Sequence, residues 1–357
     1  MPELLRDHTT LRLGGAAREY VRATTEAELI DAVASADAAG TPVLVLGGGS
    51  NLVVADEGFD GRVIEVATRG VVADSDGCDP DELACLGAVT VRVAAGESWD
   101  GFVARAVESG WVGVEALSGI PGSVGATPIQ NVGAYGQSVD ATIAQVRVYD
   151  RVLRGVRTVA AADCAFGYRH SRFKADPGRH VVLEVSFLFK QGTLSAPVAY
   201  AELARTLGVE PGGRVPMGDV REAVLALRRG KGMVLDAEDH DTWSAGSFFT
   251  NPVLDESEAA ALPPDAPRWP AGEGLVKSSA AWLIEHAGFG KGYVSETAGA
   301  TVSLSTKHTL ALTNRGGATT HALLALAADV RDGVERAFGV RLVNEPVLVG
   351  CELPATQ

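Results

Sequence analysis

Three short patches place polar or charged side chains inside segments that are otherwise tight or apolar. Arg169 lies in the polar turn 168–174, where it and its basic neighbours could hold a carboxylate or a phosphate. Ser247 stands between a glycine and two phenylalanines, so its hydroxyl needs either a structural partner or a ligand. Glu345 interrupts an apolar run, which is costly unless the carboxylate is paired or functional. Taken singly, each patch is more often structural than catalytic.

The segment from Leu117 to Gln137, LSGIPGSVGATPIQNVGAYGQ, contains five glycines and two prolines and has no helical or strand periodicity. It has too few long side chains to be held together by apolar packing. Glycine leaves backbone amides unshielded, while Pro121 and Pro128 stiffen the path of the chain. Because successive free amides form concavities that bind anions, we predict a phosphate or pyrophosphate site here.

Another glycine cluster lies earlier in the chain: this first glycine cluster, Gly47–Asn51, joins two predicted strands, and the Leu117–Gln137 segment contains the second. The first cluster lacks the third glycine and the following helix of a dinucleotide-binding turn, and no GxxxxGK[ST] loop is present. One loop of this kind could equally be a tight hairpin without a ligand. Two loops with exposed amides in one chain favour a shared phosphate-containing ligand.

The hydrophobic pattern predicts the elements that must position these residues. Capping-box spacing at Thr25–Glu28 opens a helix that ends near Gly40, and the longest amphipathic pattern runs from Thr319 to Phe338. The four prolines between Asp255 and Gly274 predict a loop. Further helices are predicted at 97–109, 220–229 and from Ser278 or Ser279 to Gly288, and strands at 43–46, 63–66, 89–93, 145–149 and 181–189.

Length and composition exclude several classes of protein. A chain of 357 residues is expected to form two or three domains. The net charge of −14 opposes binding to nucleic acid, and no apolar run approaches the roughly 20 residues that span a bilayer. The N-terminal residues lack the apolar stretch of a signal peptide, so we expect a cytoplasmic location.

Metal and disulfide chemistry are not indicated. The four cysteines, Cys78, Cys85, Cys164 and Cys351, show no CxxC spacing and are predicted to be free thiols. The acidic run 236–241 resembles a metal site only superficially, because adjacent residues cannot all face one ion without a specially bent loop. We expect no metal.

The sequences of the motifs and their order resemble those of one enzyme family over essentially the whole chain. HTTLRLGGAA, LGGGSNLV, SGIPGSVGATPIQNVGAYG, YRHSRFK, AGSFFTNP and EPVLVG resemble, in this order and spacing, the MurB family of flavoenzymes. The resemblance implies an α+β protein: a two-lobed FAD-binding fold of the vanillyl-alcohol-oxidase (PCMH) type plus a separate α+β substrate domain. It implies a first lobe at 1–67, to which 346–357 returns, a second lobe at 68–230 and a substrate domain at 231–345.

The resemblance also implies a reaction, that of a UDP-N-acetylmuramate dehydrogenase in peptidoglycan precursor synthesis. NADPH reduces non-covalently bound FAD and leaves, and an enolpyruvyl UDP-sugar then receives hydride at C3 and a proton at C2, giving UDP-N-acetylmuramate. By the same resemblance Ser247 donates the proton, and Arg169 and Glu345 stabilise the enol-like intermediate.

The binding residues follow from the same resemblance. Those assigned to FAD are Gly47, Gly48, Gly49, Ser50, Asn51, Gly119, Ile120, Pro121, Gly122, Ser123, Gly125, Ala126, Gln130, Asn131, Gly133, Ala134 and Tyr135. Those assigned to the UDP-sugar are Tyr168, Tyr200, Lys231 and Asn251.

Two other functions remain open at this point. One is a flavin-dependent alcohol or sugar oxidase of the same superfamily. Such enzymes often tether FAD through His or Cys, and neither residue occurs in the two glycine segments. The other is a non-enzymatic UDP-sugar-binding protein, which the presence of Arg169, Ser247 and Glu345 together disfavours. We expect a monomer whose partners are small molecules.

Overall fold

The computed structural model describes residues 2–74 and 87–355, so Cys78 and Cys85 lie outside the described residues. The strands are β1 (Ala17–Ala23), β2 (Val43–Leu46), β3 (Leu52–Val54), β4 (Phe59–Val66), β5 (Val71–Asp74), β6 (Ala88–Ala94), β7 (Trp111–Val112), β8 (Gly133–Ala134), β9 (Gln137–Ser138), β10 (Ile143–Asp150), β11 (Gly155–Ala160), β12 (His180–Gln191), β13 (Val253–Asp255), β14 (Arg268–Pro270), β15 (Leu275–Ser278), β16 (Val302–Leu304), β17 (Leu312–Asn314) and β18 (Val347–Val349). The helices are α1 (Glu26–Ala38), α2 (Trp99–Glu108), α3 (Thr127–Gln130), α4 (Arg172–Ala175), α5 (Ala201–Leu207), α6 (Met217–Gly230), α7 (Glu256–Ala261), α8 (Ala280–His286) and α9 (Thr320–Phe338).

These elements form two compact units. The first unit comprises Met1–Arg18, Gly49–Phe59 and Gly230–Gln357, and the second comprises Glu19–Gly48 and Asp60–Arg229. Each unit combines sheets with helices, as an α+β chain requires. The division into two flavin lobes and a substrate domain concerns binding roles and stays a prediction.

An antiparallel sheet forms the body of the second unit. Its strands follow the order β11-β10-β12-β6-β5, and β7 pairs with β12. Helix α2 begins after Ser98, whose hydroxyl accepts the Gly101 amide, and buries Trp99 and Phe102. The Phe102 ring stacks on Phe187 of β12 with centroids 5.1 Å apart. The predicted helix and strands therefore meet in one aromatic core.

A smaller sheet in the second unit leads into the first glycine cluster. Its order is β1-β4-β2, and β2 runs parallel to β4. The predicted capping box is present at the start of α1, where Thr25 and Glu28 satisfy each other's amides. Helix α1 buries Leu29 and Val33, so its apolar face supports the strand that ends at Leu46.

The first unit is built around α9, whose buried face includes Leu323, Leu326 and Val330. The predicted helix from Thr319 to Phe338 is confirmed, because Thr319 caps α9 and the helix runs to Phe338. Strand β18 pairs in parallel with β3. The predicted loop after Asp255 is partly wrong, because Asp255 and Glu258 form a capping box that starts α7 before the prolines begin.

The buried carboxylate of Asp150 provides a test of electrostatic stabilisation in the second unit. Its side chain is 4% exposed and lies 2.9 Å from Arg179, and this hydrogen bond lowers the pKa of Asp150 to about 2. A lowered pKa stabilises the folded protein at pH values above the ordinary carboxyl pKa, and the stabilisation is lost as the pH falls through about 2. We expect Asp150→Asn to lower the free energy of unfolding at neutral pH by about 2 kcal/mol.

The measurement is urea unfolding of the parent and variant proteins between neutral pH and about pH 2. The difference in unfolding free energy between parent and Asp150→Asn should have its full value above about pH 4 and should shrink as the pH falls further. Asp176→Asn is the matched control, because Asp176 contacts the same arginine with a half-exposed side chain. Its expected effect is about 0.5 kcal/mol or less. A difference for Asp150→Asn that does not change with pH would contradict the electrostatic explanation.

Candidate active site

The two glycine clusters meet in the second unit. A Cβ atom added to Gly47 would lie 2.6 Å from the Ser123 Oγ, and one added to Gly48 would lie 2.5 Å from the Gly122 Cα. Real side chains do not tolerate such distances. At Gly48 the two main chains therefore touch directly, and glycine is required there whether or not a ligand is present, whereas Gly47 faces the side-chain hydroxyl of Ser123.

Other glycines of the Leu117–Gln137 segment are also held by the protein itself. The Gly125 amide donates to the Ala95 carbonyl at 2.8 Å, and an added Cβ would lie 2.5 Å from the Ala95 Cβ. Gly119 has a φ of 72°, and its amide donates to the Asp100 carboxylate at 2.6 Å. Much of the glycine content thus serves internal packing.

Some donors near this contact remain available for a ligand. Among the described residues, the amides of Gly48 and Gly122 donate to no group, and Gly48 is exposed. The Nε2 atom of Gln130 is buried and has no hydrogen-bond partner in the same part of the chain. Buried polar groups are normally satisfied, so an unpaired amide nitrogen points to a missing partner. These donors suit the phosphate groups and polar ring atoms of a nucleotide cofactor.

The turn that carries Arg169 is attached to the same segment. Gly167 and His170 exchange two backbone hydrogen bonds across a tight turn, in which Arg169 has a φ of 52°. The Arg169 Nη2 donates to the Gly133 carbonyl at 3.2 Å. Asn131, itself at a φ of 44°, donates from Nδ2 to the Gly167 carbonyl at 3.0 Å. The structure therefore brings the predicted Arg169 and Asn131 together.

Tyr135 and Tyr200 form a second contact of predicted site residues. Their rings meet edge to face with centroids 5.5 Å apart. Tyr135 has a φ of 49°, and Tyr200 is 44% exposed and immediately precedes α5. Tyr168 is also exposed, and its ring centroid lies 5.6 Å from the Arg169 Cζ. Of the remaining predicted FAD residues, Ile120 packs on the main core of the unit, and Ala126 is exposed just before α3.

In the first unit the structure pairs the Ser247 segment with the Glu345 segment. Phe249 and Asn344 form an antiparallel bridge, and the Glu345 amide donates to the Phe248 carbonyl at 2.8 Å. Phe248 and Phe249 are each 1% exposed, so their burial fixes this strand-like segment. Ser247 itself, next to these two buried rings, is only partly buried.

Asn51, from the first glycine cluster, joins this pair. Its Nδ2 donates to the Glu345 carbonyl at 3.4 Å, and its own carbonyl accepts the Val347 amide at 3.0 Å. Gly49 precedes it with a φ of 59°, and a side chain there would overlap the His8 carbonyl. Three motifs from distant parts of the sequence therefore converge in the first unit.

The other two residues predicted to bind the substrate lie in the first unit. The Asn251 Oδ1 accepts the Ala280 amide at 3.0 Å at the start of α8. Lys231 follows α6 and is partly buried. Their contact with a substrate stays a prediction.

The acidic run 236–241 forms protein contacts of its own. Asp239 contacts Lys307, and Asp241 accepts the Thr306 amide at 2.9 Å and the Arg315 guanidinium at 2.8 Å. Among residues 2–74 and 87–355, no cluster of His, Cys, Asp and Glu could hold a metal ion. Cys164 and Cys351 are free, and desolvation raises the pKa of Cys164 to about 11, so its thiol is unreactive.

Two carboxylates near the glycine segment were not identified from the sequence. Asp100 binds the Gly119 amide and forms a bidentate pair with Arg221 of α6. Glu115 is fully buried and accepts the amides of Gly113 and Ala196. Neither stands in a recognisable motif, and only the position of Glu115 directly before the glycine segment could have drawn attention to it.

Comparisons with known proteins agree with the motifs. Residues 238–349 match the family described as UDP-N-acetylenolpyruvoylglucosamine reductase, C-terminal domain, and residues 17–155 match an FAD binding domain. The UDP-N-acetylenolpyruvoylglucosamine reductase of Streptomyces avermitilis is 58% identical, with 97% of this chain and 93% of that protein covered. The Cutibacterium acnes protein of the same name is 57% identical over 97% of this chain and 89% of its own length.

A solved structure supports the fold. The crystal structure of UDP-N-acetylenolpyruvylglucosamine reductase (MurB) from Thermus caldophilus matches with a TM-score of 0.64 at 24% identity, covering 98% of both chains. No helix within the described residues is long and apolar enough to cross a membrane. The matched relatives, with the FAD binding domain, establish that the chain is an oxidoreductase of the UDP-N-acetylenolpyruvoylglucosamine reductase (MurB) family.

Proposed function

We propose that the chain uses NADPH to reduce UDP-N-acetyl-3-O-(1-carboxyvinyl)-glucosamine to UDP-N-acetylmuramate, with FAD bound non-covalently. The observation that carries the proposal is the backbone pairing of Phe248 and Phe249 with Asn344 and Glu345. This pairing fixes a hydroxyl-bearing segment beside a carboxylate-bearing segment, as an acid-assisted reduction of an enol ether requires.

The residues of the glycine segment fit a flavin dinucleotide. The free amides of Gly48 and Gly122 can bind its pyrophosphate, and the unpaired Gln130 amide nitrogen can donate to an acceptor on its ring system. When bound, FAD would supply the hydride chemistry between NADPH and the substrate. The protein contributes orientation and electrostatics to this chemistry.

Three side chains carry the proposed proton transfer and charge stabilisation. Ser247 donates a proton to C2 of the substrate, and its partial exposure leaves the hydroxyl accessible to a ligand. Arg169 offers a cationic guanidinium to the substrate carboxylate, where negative charge builds up as hydride arrives at C3. Glu345 assists at the same intermediate. The left-handed backbone of Arg169 is a strained conformation of the kind that concentrates at functional sites.

A second group of residues binds the nucleotide end of the substrate in this proposal. Tyr200 is exposed and can cover the uridine, Lys231 can bind a phosphate as a point charge, and Tyr168 and Asn251 complete the contacts. We further propose that the chain works in the cytoplasm as a monomer without nucleic acid or membrane partners. The product then supplies peptidoglycan synthesis.

The direct test is NADPH consumption by the purified holoenzyme. Oxidation of NADPH should depend on the enolpyruvyl UDP-sugar and should yield UDP-N-acetylmuramate. Consumption of oxygen with an alcohol or sugar would instead indicate the oxidase, and a protein that binds the UDP-sugar without flavin reduction would indicate a binding protein.

Gln130 provides a test of flavin binding that glycine substitutions cannot provide. Gly125→Val, for example, would clash with Ala95 and unfold the protein whatever the ligand. Gln130→Met removes an unpaired buried amide, so the flavin-free protein should be no less stable. FAD affinity, measured by fluorescence titration, should fall up to about tenfold because one hydrogen bond is lost.

Gln145→Met is the matched control, because the Gln145 amide already donates to Ser186 within the second unit. It should leave FAD affinity unchanged. Unchanged FAD affinity in Gln130→Met as well would remove Gln130 from the cofactor site.

Ser247→Ala tests the proton donor. Flavin content and reduction by NADPH should remain close to those of the parent, because that half-reaction needs no proton from Ser247. Reoxidation by the enolpyruvyl substrate should slow by roughly 10²–10⁴, the range of general acid catalysis. Stopped-flow absorbance separates the two half-reactions.

Thr250→Val serves as the control on the same segment, since it also removes a hydroxyl, one that lies 3.4 Å from the Val343 carbonyl. Reoxidation in this variant should be near normal. Rapid reoxidation of Ser247→Ala would exclude the serine and make Glu345 the next candidate acid.

A further inference from the structure

Glu115 is a fully buried carboxylate that joins two distant stretches of the second unit. Its Oε2 accepts the Gly113 amide at 2.7 Å, and its Oε1 accepts the Ala196 amide at 2.6 Å. Within the described residues, no lysine, arginine or histidine forms an ion pair with it. Burying a carboxylate without a cation is costly unless hydrogen bonds replace its hydration, and here two backbone amides do so.

On one side, Glu115 belongs to the frame of the glycine segment. It begins the 3₁₀ turn Glu115–Leu117, directly before Ser118 and Gly119. The neighbouring Ala116 amide donates to the Gln137 Oε1 at 2.8 Å, at the far end of the same segment. The residue is therefore anchored where the predicted FAD-binding loop begins and ends.

On the other side, Glu115 holds the chain that leads to Tyr200. Ala196 lies four residues before Tyr200, and between them Val198 is buried and exchanges hydrogen bonds with Gly212 and Gly213. Those two bonds fix Val198 only to the nearby loop 209–215. The bond from Ala196 to Glu115 connects this stretch to the start of the glycine segment, in addition to the ring contact between Tyr200 and Tyr135.

A second carboxylate, Asp100, also connects the glycine segment to the stretch 192–229, in this case through helix α6. Asp100 accepts the Gly119 amide and pairs with Arg221 of α6 at 2.6 and 3.0 Å. A small apolar cluster, which includes Ala116, Val198 and Val224, lies with these links. The stretch 192–229, which carries α5, α6 and Tyr200, is thus attached to the glycine segment by two carboxylates.

We infer that Glu115 is a positioning residue for the UDP-sugar, because it holds Tyr200 in register with the flavin-binding segment. This inference rests on the proposed role of Tyr200 at the nucleotide end of the substrate. Because Glu115 is fully buried, it would act through the Ala196 amide and not by direct contact with a ligand. Its bond to the Ala196 amide keeps the Tyr200 ring edge-on to Tyr135, beside the segment that binds the cofactor.

The test is steady-state and stopped-flow kinetics of Glu115→Asp in the holoenzyme. Aspartate keeps the charge and can still reach the adjacent Gly113 amide, but it is too short to span to Ala196 as well. The KM for the UDP-sugar should rise about tenfold, the equivalent of one charge-assisted hydrogen bond, while flavin content and the rate of reduction by NADPH stay near normal. In a Tyr200→Ala background the same substitution should raise the KM no further.

Two further variants keep the outcome decisive. Asp150→Asn is the control for lost stability, because it removes another buried carboxylate that accepts two amides. The KM of this variant for the UDP-sugar should be unchanged. If Glu115→Asp does not fold, Glu115→Gln keeps the side-chain length and one accepting oxygen, and a smaller rise in KM is expected.

The results separate this inference from the proposed function. If Tyr200→Ala leaves the KM for the UDP-sugar unchanged, the proposed role of Tyr200 is wrong. If Tyr200→Ala raises the KM and the Glu115 variant does not, or if the two effects add, Glu115 does not act through Tyr200 and the inference is overturned.

Discussion

The second unit depends on a direct contact between two stretches of main chain. Gly47 and Gly48 meet Gly122 and Ser123 so closely that a Cβ on either glycine would overlap an atom of the facing stretch. Such a contact excludes a side chain at Gly48. The amides of Gly48 and Gly122 at this contact donate to no group among the described residues, as the proposed pyrophosphate site requires.

The elements around this contact are arranged to maintain it. Parallel strand β2 carries the first glycine cluster, and α1 covers that strand with its apolar face. The second cluster is attached to the large sheet by the hydrogen bond from Gly125 to Ala95 and to α2 by the bond from Gly119 to Asp100. A loop without an apolar core of its own is thereby held near its start and at its middle.

Several carboxylates of this acidic chain hold irregular segments in place through hydrogen bonds. Glu115 and Asp100 each accept a backbone amide beside the glycine segment and also bind the stretch 192–229. Asp241 accepts both an amide and a guanidinium in the first unit, and Asp150 does so in the second. Charge-assisted hydrogen bonds of this kind are stronger than neutral ones and are directional, so they can hold irregular loops that ladders do not reach.

Local patterns in the sequence determined most of the elements and the identity of the motifs. The capping box of α1, the amphipathic period of α9 and the alternating strands could be predicted because each depends on neighbouring residues alone. Proline content led to a wrong loop after Asp255, where a capping box had priority over the more distant prolines. The motifs also identified Ser247, Glu345 and Arg169, and the FAD-binding family was named from them.

Only the tertiary structure decided which distant residues lie close together and which glycines are required for packing rather than for ligand binding. The pairing of the Ser247 segment with Glu345 joins positions almost one hundred residues apart, and the bond from Glu115 to Ala196 joins two positions separated by a strand-rich stretch. No local pattern encodes such contacts, because they depend on where the chain returns in space. The amide of Ala196 carries no signature in the sequence at all: every residue except proline has the same donor, and only the fold places this one beside a buried carboxylate.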